Sequence, residues 1–205
     1  MAEDQETAEA EAHLIEVEED KKICGIDEAG RGCLAGPLVV AGVVLTKKID
    51  GLNDSKKLTE KKREELFEII KKNSIYKIVW SDNDTIDKIG LSKALKNSLQ
   101  SITSFFKEYH IIFDGNTSFG ARGITTLIKA DALIAEVSAA SILAKVSRDR
   151  YMRDISKEFP LYNFQKHKGY GTKEHIELLK RYGYSNLHRK CFKIKELNQP
   201  SLFNF

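Results

Sequence analysis

Four acidic residues set the strictest condition on how this chain can fold. Asp27, Glu28, Asp114 and Asp131 stand at or just beyond the ends of short apolar runs that read as strands: Ile23 to Asp27, His110 to Gly115, and Thr125 to Lys129. Those runs are otherwise nearly uncharged. A carboxylate that ends a buried strand is desolvated on one side and repelled by its neighbours, so a cluster of them is costly unless something positive fills it. Any one such Asp reads first as a turn or cap residue, and Asp114-Gly115 alone would be no more than that. If all four converge, a divalent cation is the economical partner, and ligands that are all oxygen favour Mg2+ or Mn2+ over zinc. Asp27 and Glu28 are sequence neighbours, and neighbours on a strand face opposite ways. Both reach one metal only if the strand stops or bulges there, and Gly30 and Gly32 are the residues for such a break.

The rest of the chain supplies the layers around those strands. Leu38 to Leu45 and Ile75 to Trp80 read as further strands, the latter halting at Ser81-Asp82-Asn83-Asp84. Thr59 can cap a helix with Leu66, Phe67, Ile69 and Ile70 on its apolar side. Helical patterning returns from Leu91 to Phe106 and again from Ala132 to about Lys157, where Ala135, Ser138, Ala139, Ala140, Ser141 and Ala144 permit close approach to a neighbour. Pro160 ends that stretch. A basic loop, Lys166 to Thr172, leads to a last helix over Lys173 to Tyr182. Three early strands followed by strands alternating with helices predict an α/β fold: a mixed β-sheet flanked by helices, with a small helical C-terminal subdomain against one edge.

Charge divides the chain. The formal net of +3 conceals nine carboxylates and no Lys or Arg in residues 1–20, against 33 basic and 21 acidic groups in residues 21–205. A body this positive suits a polyanion. Residues 1–20 read as a solvated acidic extension without a core. They lack the apolar stretch of a secretory signal, and no run approaches the roughly 18 consecutive apolar residues of a membrane span. Cys24, Cys33 and Cys191 form no CxxC and cannot all pair, so a reduced cytoplasm is the expected compartment.

Gly25-Ile26-Asp27-Glu28-Ala29-Gly30-Arg31-Gly32, continuing to Pro37, resembles the opening signature of bacterial ribonuclease HII. Asp54 to Leu58, Phe113 to Gly115, Ile128 to Asp131, Ala139 to Val146, Arg148 to Arg150, His167 to His175 and His188-Arg189 resemble further blocks of that family, in order, so the likeness runs from about Ile23 to Phe192. It implies a ribonuclease H-like fold and an endonuclease for RNA–DNA hybrids and for single ribonucleotides in duplex DNA. The catalytic domain would span residues 21–192. By the same resemblance Asp27, Glu28, Asp114 and Asp131 are the acidic active-site residues, the first three the firmer metal ligands. Gly30, Arg31 and Gly32 would read the ribose at the junction, and Tyr170 would stack on the deoxyribose. Ala130 stands where the family usually has glycine, adding a methyl near the site. Cys33 stands where proline or a small residue is common, and residues 1–20 have no family counterpart.

Such chemistry asks for two cations about 3.5–4 Å apart that activate a water and stabilise the leaving 3′ oxygen, giving a 5′-phosphate and a 3′-hydroxyl. The 2′-hydroxyl is then sensed and does not attack. A nuclease that used it as nucleophile would want histidine pairs, for which His13, His110, His167, His175 and His188 are the only candidates. Glycines let backbone approach a sugar closely. Arg31 either contacts phosphate or packs under its loop. Lys145, Arg148, Lys166, Lys168 and Lys173 could line a phosphate track, with Lys56 and Ser141 nearer the metals.

The C-terminal stretch 193–205 ends in Gln199-Pro200-Ser201-Leu202-Phe203, which resembles the pentapeptide that docks bacterial proteins on the replication sliding clamp. Gln199, Leu202 and Phe203 would make that contact, unless the aromatics fold back on this chain. A monomer is expected. The competing reading is a catalytically silent basic module that binds nucleic acid and is tethered by its tail; clustered carboxylates beside phosphates speak against it. The sister family, ribonuclease HIII, carries an extra N-terminal platform for which this sequence shows no counterpart.

Overall fold

The β-branched runs become strands because both faces of each can be covered. A computed structural model describes residues 22–52 and 58–194. The acidic extension, Lys56 and the Gln199–Phe203 motif fall outside the described residues. β1 (Ile23–Ala29), β2 (Leu38–Leu45), β3 (Ser74–Ser81), β4 (His110–Asp114) and β5 (Thr125–Leu127) form one sheet in the order β3-β2-β1-β4-β5. β2 is antiparallel to β1 and β3, whereas β4 runs parallel to β1 and β5 parallel to β4. The expected mixed sheet is present.

Helices cover both faces. One face sets Cys24, Ile26, Leu38, Val40 and Val44 against Leu95, Leu99 and Ile102 of α3 (Leu91–Phe105). The other sets Ala29, Val39, Ala41 and Val43 against α1 (Glu60–Lys72) and α5 (Ala135–Ile155). Thr59 caps α1, its hydroxyl accepting the Lys62 N–H at 3.2 Å. Ile69, grouped above with the apolar stripe of α1, is instead exposed. The Ser81–Asp84 stop is also the start of a short helix, α2 (Asn83–Ile89), whose cap Asp82 accepts the Thr85 N–H at 2.7 Å.

The small residues of α5 do bring it close. A Cβ placed on Gly25 would lie 2.2 Å from the Val137 backbone nitrogen, so only glycine fits where β1 passes under the helix. The long helical pattern, however, is broken. α4 (Ala130–Leu133) ends at Ile134, whose backbone is extended, and α5 begins after it. Ile134 packs with Ile112, Ala130 and Val137, and that anchor turns the chain between the two helices. Among the described residues no helix is long and apolar enough to cross a membrane.

The C-terminal subdomain comprises a 3-10 turn (Pro160–Tyr162), α6 (Phe164–His167), α7 (Lys173–Tyr182) and the segment after it. Its core of Tyr162, Phe164 and Leu187 is shared with Met152 of α5 and Ala35, so its seat is α5 and the 30–37 loop. Three buried histidines tie it together. The Ser185 N–H donates to His188 Nδ1 at 2.9 Å, which leaves the His188 proton on Nε2. That nitrogen lies 3.0 Å from His175 Nε2, so His175 in turn carries its proton on Nδ1 and donates to the Tyr170 carbonyl at 2.9 Å. His167 stacks on His175 at 4.2 Å. All three rings are spent on contacts within this subdomain, so none of His167, His175 and His188 is placed to act as an acid–base pair.

Burial pushes His175 and His188 down to about 4 from an ordinary 6.5. The unfolded chain therefore takes up protons first as pH falls, so the stability these rings contribute is full above pH 6.5 and is lost towards pH 4. The melting temperature should drop by roughly 5–10 °C between pH 6.5 and 5. In a His188→Gln variant it starts lower but falls less over that interval. An equal fall in the variant would place the acid sensitivity elsewhere.

Candidate active site

Matching periodicities build the centre. Gly25 of β1 lies under Val137 of α5. Two residues along a strand advance about 6.6 Å and four along a helix about 6.0 Å, so Asp27, on the same face as Gly25, arrives beside Ser141. The Ser141 hydroxyl donates to the Asp27 carboxylate, and the Glu28 N–H donates to it at 2.7 Å. Parallel pairing of Ile26 with Phe113 puts Asp114 next to Asp27 on that same face. Asp131 comes from the first turn of α4. Carboxylate oxygens of Asp27, Asp114 and Asp131 lie within 4.8 Å of one another.

The fourth acid stands apart. β1 neither stops nor bulges at Asp27: its ladder with β2 continues through Glu28 and Ala29. Glu28 therefore faces the other way. It borders the same cleft without joining the group of three, and lies 3.7 Å from an Arg31 nitrogen.

Crowding has an electrostatic consequence. Asp27 is 6% exposed and Asp131 4%. Burial first, then the charges of Glu28 and Asp114, hold the Asp27 pKa well above the usual carboxylate range, against the lowering by Ser141. A strained turn fixes Asp114: Lys129 adopts a left-handed backbone (φ 61°), and the next amide, on Ala130, donates to Asp114 Oδ1 at 2.9 Å. The Ala130 methyl, expected near the site, points into the core with Ile112 and Val137. Oxygen donors converging from three chain segments, two of them buried, fit a hard divalent cation.

Around the carboxylates a cleft of about 290 Å3 is lined by Gly30, Arg31, Gly32, Ser141, Lys145 and Tyr170, which brings together six of the residues singled out above for substrate; Arg148, Lys166, Lys168 and Lys173 do not line it. Helical spacing aligns three of their supports on α5: Ser141 at Asp27, Lys145 with its ammonium 5.3 Å from the Tyr170 ring centre, and Arg148 beneath the glycine loop. Lys145 also pairs with Asp149 at 2.9 Å. Tyr170 is 38% exposed; burial of its hydroxyl end pushes the phenol up to about 12, so it is neutral at ordinary pH.

Several assignments change. Arg148 is fully buried and lines no phosphate track: it donates to the carbonyls of Pro37 at 2.8 Å, Lys168 at 2.8 Å and Ala35 at 3.0 Å. Arg189, also buried, donates to Gly36 and Arg31 carbonyls at 2.9 and 3.1 Å. The two glycines also have different reasons. Gly30 (φ 89°) is packed so tightly that a Cβ would lie 2.1 Å from Arg148 Nε, whereas a Cβ on Gly32 meets nothing within 4 Å. Of the two, Gly32 is the one with open space over its Cα. Arg31 does not pack under its loop; it is half-exposed, with its guanidinium 5.0 Å from the Phe119 ring. Elsewhere on the supposed track Lys166 is paired with Glu174 at 2.7 Å.

One cleft residue was missed, Arg63 of α1. Its signal was available: Arg63, Leu66, Phe67 and Ile70 fall on one helical stripe, and a cation continuing a buried stripe points at something negative.

Residues 24–195 match the family model described as Ribonuclease HII. The chain is 57% identical over 183 residues to a ribonuclease HII of Campylobacter concisus, covering 89% of this chain and 99% of that one. It is 61% identical over 178 residues to one of Campylobacter hominis, covering 86% and 96%. Among solved structures, that of the PCNA:RNase HII complex from Archaeoglobus fulgidus superposes with a TM-score of 0.74 at 28% identity, covering 88% of this chain and 98% of that one.

The clustered carboxylates generate a test that does not depend on turnover. Mn2+ should raise the melting temperature of the protein, and Asp27→Asn or Asp114→Asn should remove most of that rise without lowering the metal-free value. Equal rises in all three proteins would put the bound metal elsewhere.

Proposed function

The chain belongs to the ribonuclease HII family and is a ribonuclease H, an endonuclease that cuts the RNA strand of RNA–DNA hybrids; from that premise we propose how its own residues make the cut. Asp27, Asp114 and Asp131 hold divalent metal, Mg2+ or Mn2+, with Glu28 bordering it from the other side of β1 and two ions in the catalytic complex. The observation that carries this is the approach of three carboxylates, from β1, β4 and α4, to within 4.8 Å. When bound, the metal supplies Lewis acidity, which makes a water nucleophilic near neutral pH and offsets charge on the leaving oxygen.

The remaining residues bind and orient. Gly32 leaves open space through which backbone can meet a ribose 2′-hydroxyl. Tyr170, neutral and wedged between Lys145 and the loop, offers a ring to the adjoining deoxyribose. Arg63, Lys145 and Arg31 face phosphates, and Ser141 holds Asp27 in place; Lys56 is a further phosphate contact. The cut falls 5′ of the ribonucleotide and leaves a 5′-phosphate and a 3′-hydroxyl, because the 2′-hydroxyl is read and the buried histidines cannot serve it. Single ribonucleotides in duplex DNA are substrates on the same grounds. The catalytically silent module is set aside with the family assignment. Residues 21–192 are the catalytic domain, residues 1–20 an appended acidic segment, and the compartment the cytoplasm.

The tail is read as a clamp-docking peptide through Gln199, Leu202 and Phe203. The Archaeoglobus relative was solved in a complex with PCNA, which supports a clamp partner for this chain.

On a duplex carrying one ribonucleotide with Mg2+, Asp27→Asn and Asp114→Asn should each lower kcat at least about 100-fold while the protein stays folded. Full activity in either would overturn the site. Removing residues 199–205 should abolish pull-down by the sliding clamp and leave cleavage of a short hybrid intact; unchanged pull-down rejects the docking role.

A further inference from the structure

The three carboxylates sit where two clefts meet. The first carries the glycine loop and Tyr170. A second, of about 340 Å3, opens on the far side of Asp114 and is lined by Gly115, Asn116, Ile128 and Lys129 together with Asp131. Glu28, Arg31 and Asp114 belong to both. We propose that this second arm binds the part of the cut strand lying 5′ of the scissile bond, the part that departs with the 3′-hydroxyl, with Lys129 on its phosphate and Ile128 beneath a sugar or base.

The inference rests on the functional reading of the carboxylate site and extends it. A strand whose scissile phosphate lies at the carboxylates must continue on both sides of them. The ribose is sensed at the glycine loop, and the cut is made 5′ of that ribose, so the first arm holds the ribonucleotide and the nucleotides on its 3′ side. The nucleotides on its 5′ side leave over Asp114.

The chemistry of the second arm suits that strand. Ile128 is 64% exposed, a large apolar side chain left bare beside buried carboxylates, and a bare apolar surface next to a polyanion site is a stacking or sugar platform. Lys129 is exposed at the same rim. Its backbone is left-handed, a conformation that a residue with a Cβ adopts only at a cost. That turn does two things at once: it puts the Ala130 N–H on Asp114 and leaves the Lys129 side chain on the surface of the arm. A phosphate approaching Glu28, Asp114 and Asp131 needs a cation beside it, and Lys129 and Arg31 are the cations bordering this arm.

The test uses the full chain with Mg2+ on duplexes containing one ribonucleotide. The cut strand carries either a single nucleotide or a full helical turn 5′ of it, with the 3′ flank held constant. A second pair of duplexes shortens the 3′ flank instead. Lys129→Gln keeps the β-carbon and removes the charge. It should lose about tenfold in kcat/KM, chiefly through KM, on the long 5′ flank, and that loss should shrink to within about twofold on the short one. Ile128→Ala should show the same pattern, while Lys145→Ala, in the other arm, should respond to the 3′ flank. A Lys129→Gln loss that is independent of the 5′ flank, or that tracks the 3′ flank, overturns the assignment of this arm alone. Failure of the unaltered protein to cut either duplex overturns the functional reading and this inference with it.

Discussion

Like charges held together out of water are the interaction on which this architecture turns. Two carboxylates that are nearly buried, Asp27 and Asp131, lie with Asp114 inside 4.8 Å, an arrangement that opposes folding unless a cation joins it. The protein does not relax the strain by spreading them apart. It fixes each of two with a donor: Ser141 and the Glu28 amide on Asp27, the Ala130 amide on Asp114. Those donors stabilise the charged form and fix its direction, while the repulsion remains for the metal to relieve. Stability in the absence of metal is thus traded for a preformed cation site.

The walls of the cleft are held by the opposite device. Arg148 and Arg189 are fully buried, and between them they donate to the backbone carbonyls of Arg31, Ala35, Gly36, Pro37 and Lys168. A guanidinium presents five donors in a fixed fork, enough to fasten several turns of irregular chain that form no ladder. Because the carbonyls of the loop are drawn inward, its outward surface at Gly32 is left for the ligand. The neutral relay from Ser185 through His188 and His175 to the Tyr170 carbonyl does the same for the loop that carries the tyrosine. Both loops are thereby held from behind, and the faces they turn to the cleft stay free.

Much of this was legible in the sequence because it is periodic or local. Alternation and β-branching located all five strands, Thr59 announced its helix, and the small residues between 135 and 144 forecast a close approach for that stretch, which β1 makes at Gly25. What escaped was decided by tertiary contacts. The break at Ile134 comes from its fit against Val137 and Ile112, which no local pattern encodes. Arg148 reads as one more basic residue in a basic stretch, and only the folded loop reveals that three carbonyls await it. The face of Glu28 was decidable in principle, since strand neighbours diverge; the glycines at 30 and 32 suggested a bulge, but the turn they form lies beyond Ala29, so the ladder stays regular through both acids.

That regularity makes the centre asymmetric, and the asymmetry has a use. Asp27, Asp114 and Asp131 gather on one side, while Glu28 points away, beside Arg31, at the ridge between the two clefts. A body with net +12 over residues 21–205 draws a polyanion from a distance, but the field at this ridge is negative and would repel the very phosphate that must lie there. Long-range attraction and short-range repulsion are reconciled only when cation fills the acidic centre. A cation there would offset the repulsion, so the carboxylates that oppose a phosphate in the metal-free protein would accept one beside them once it is bound.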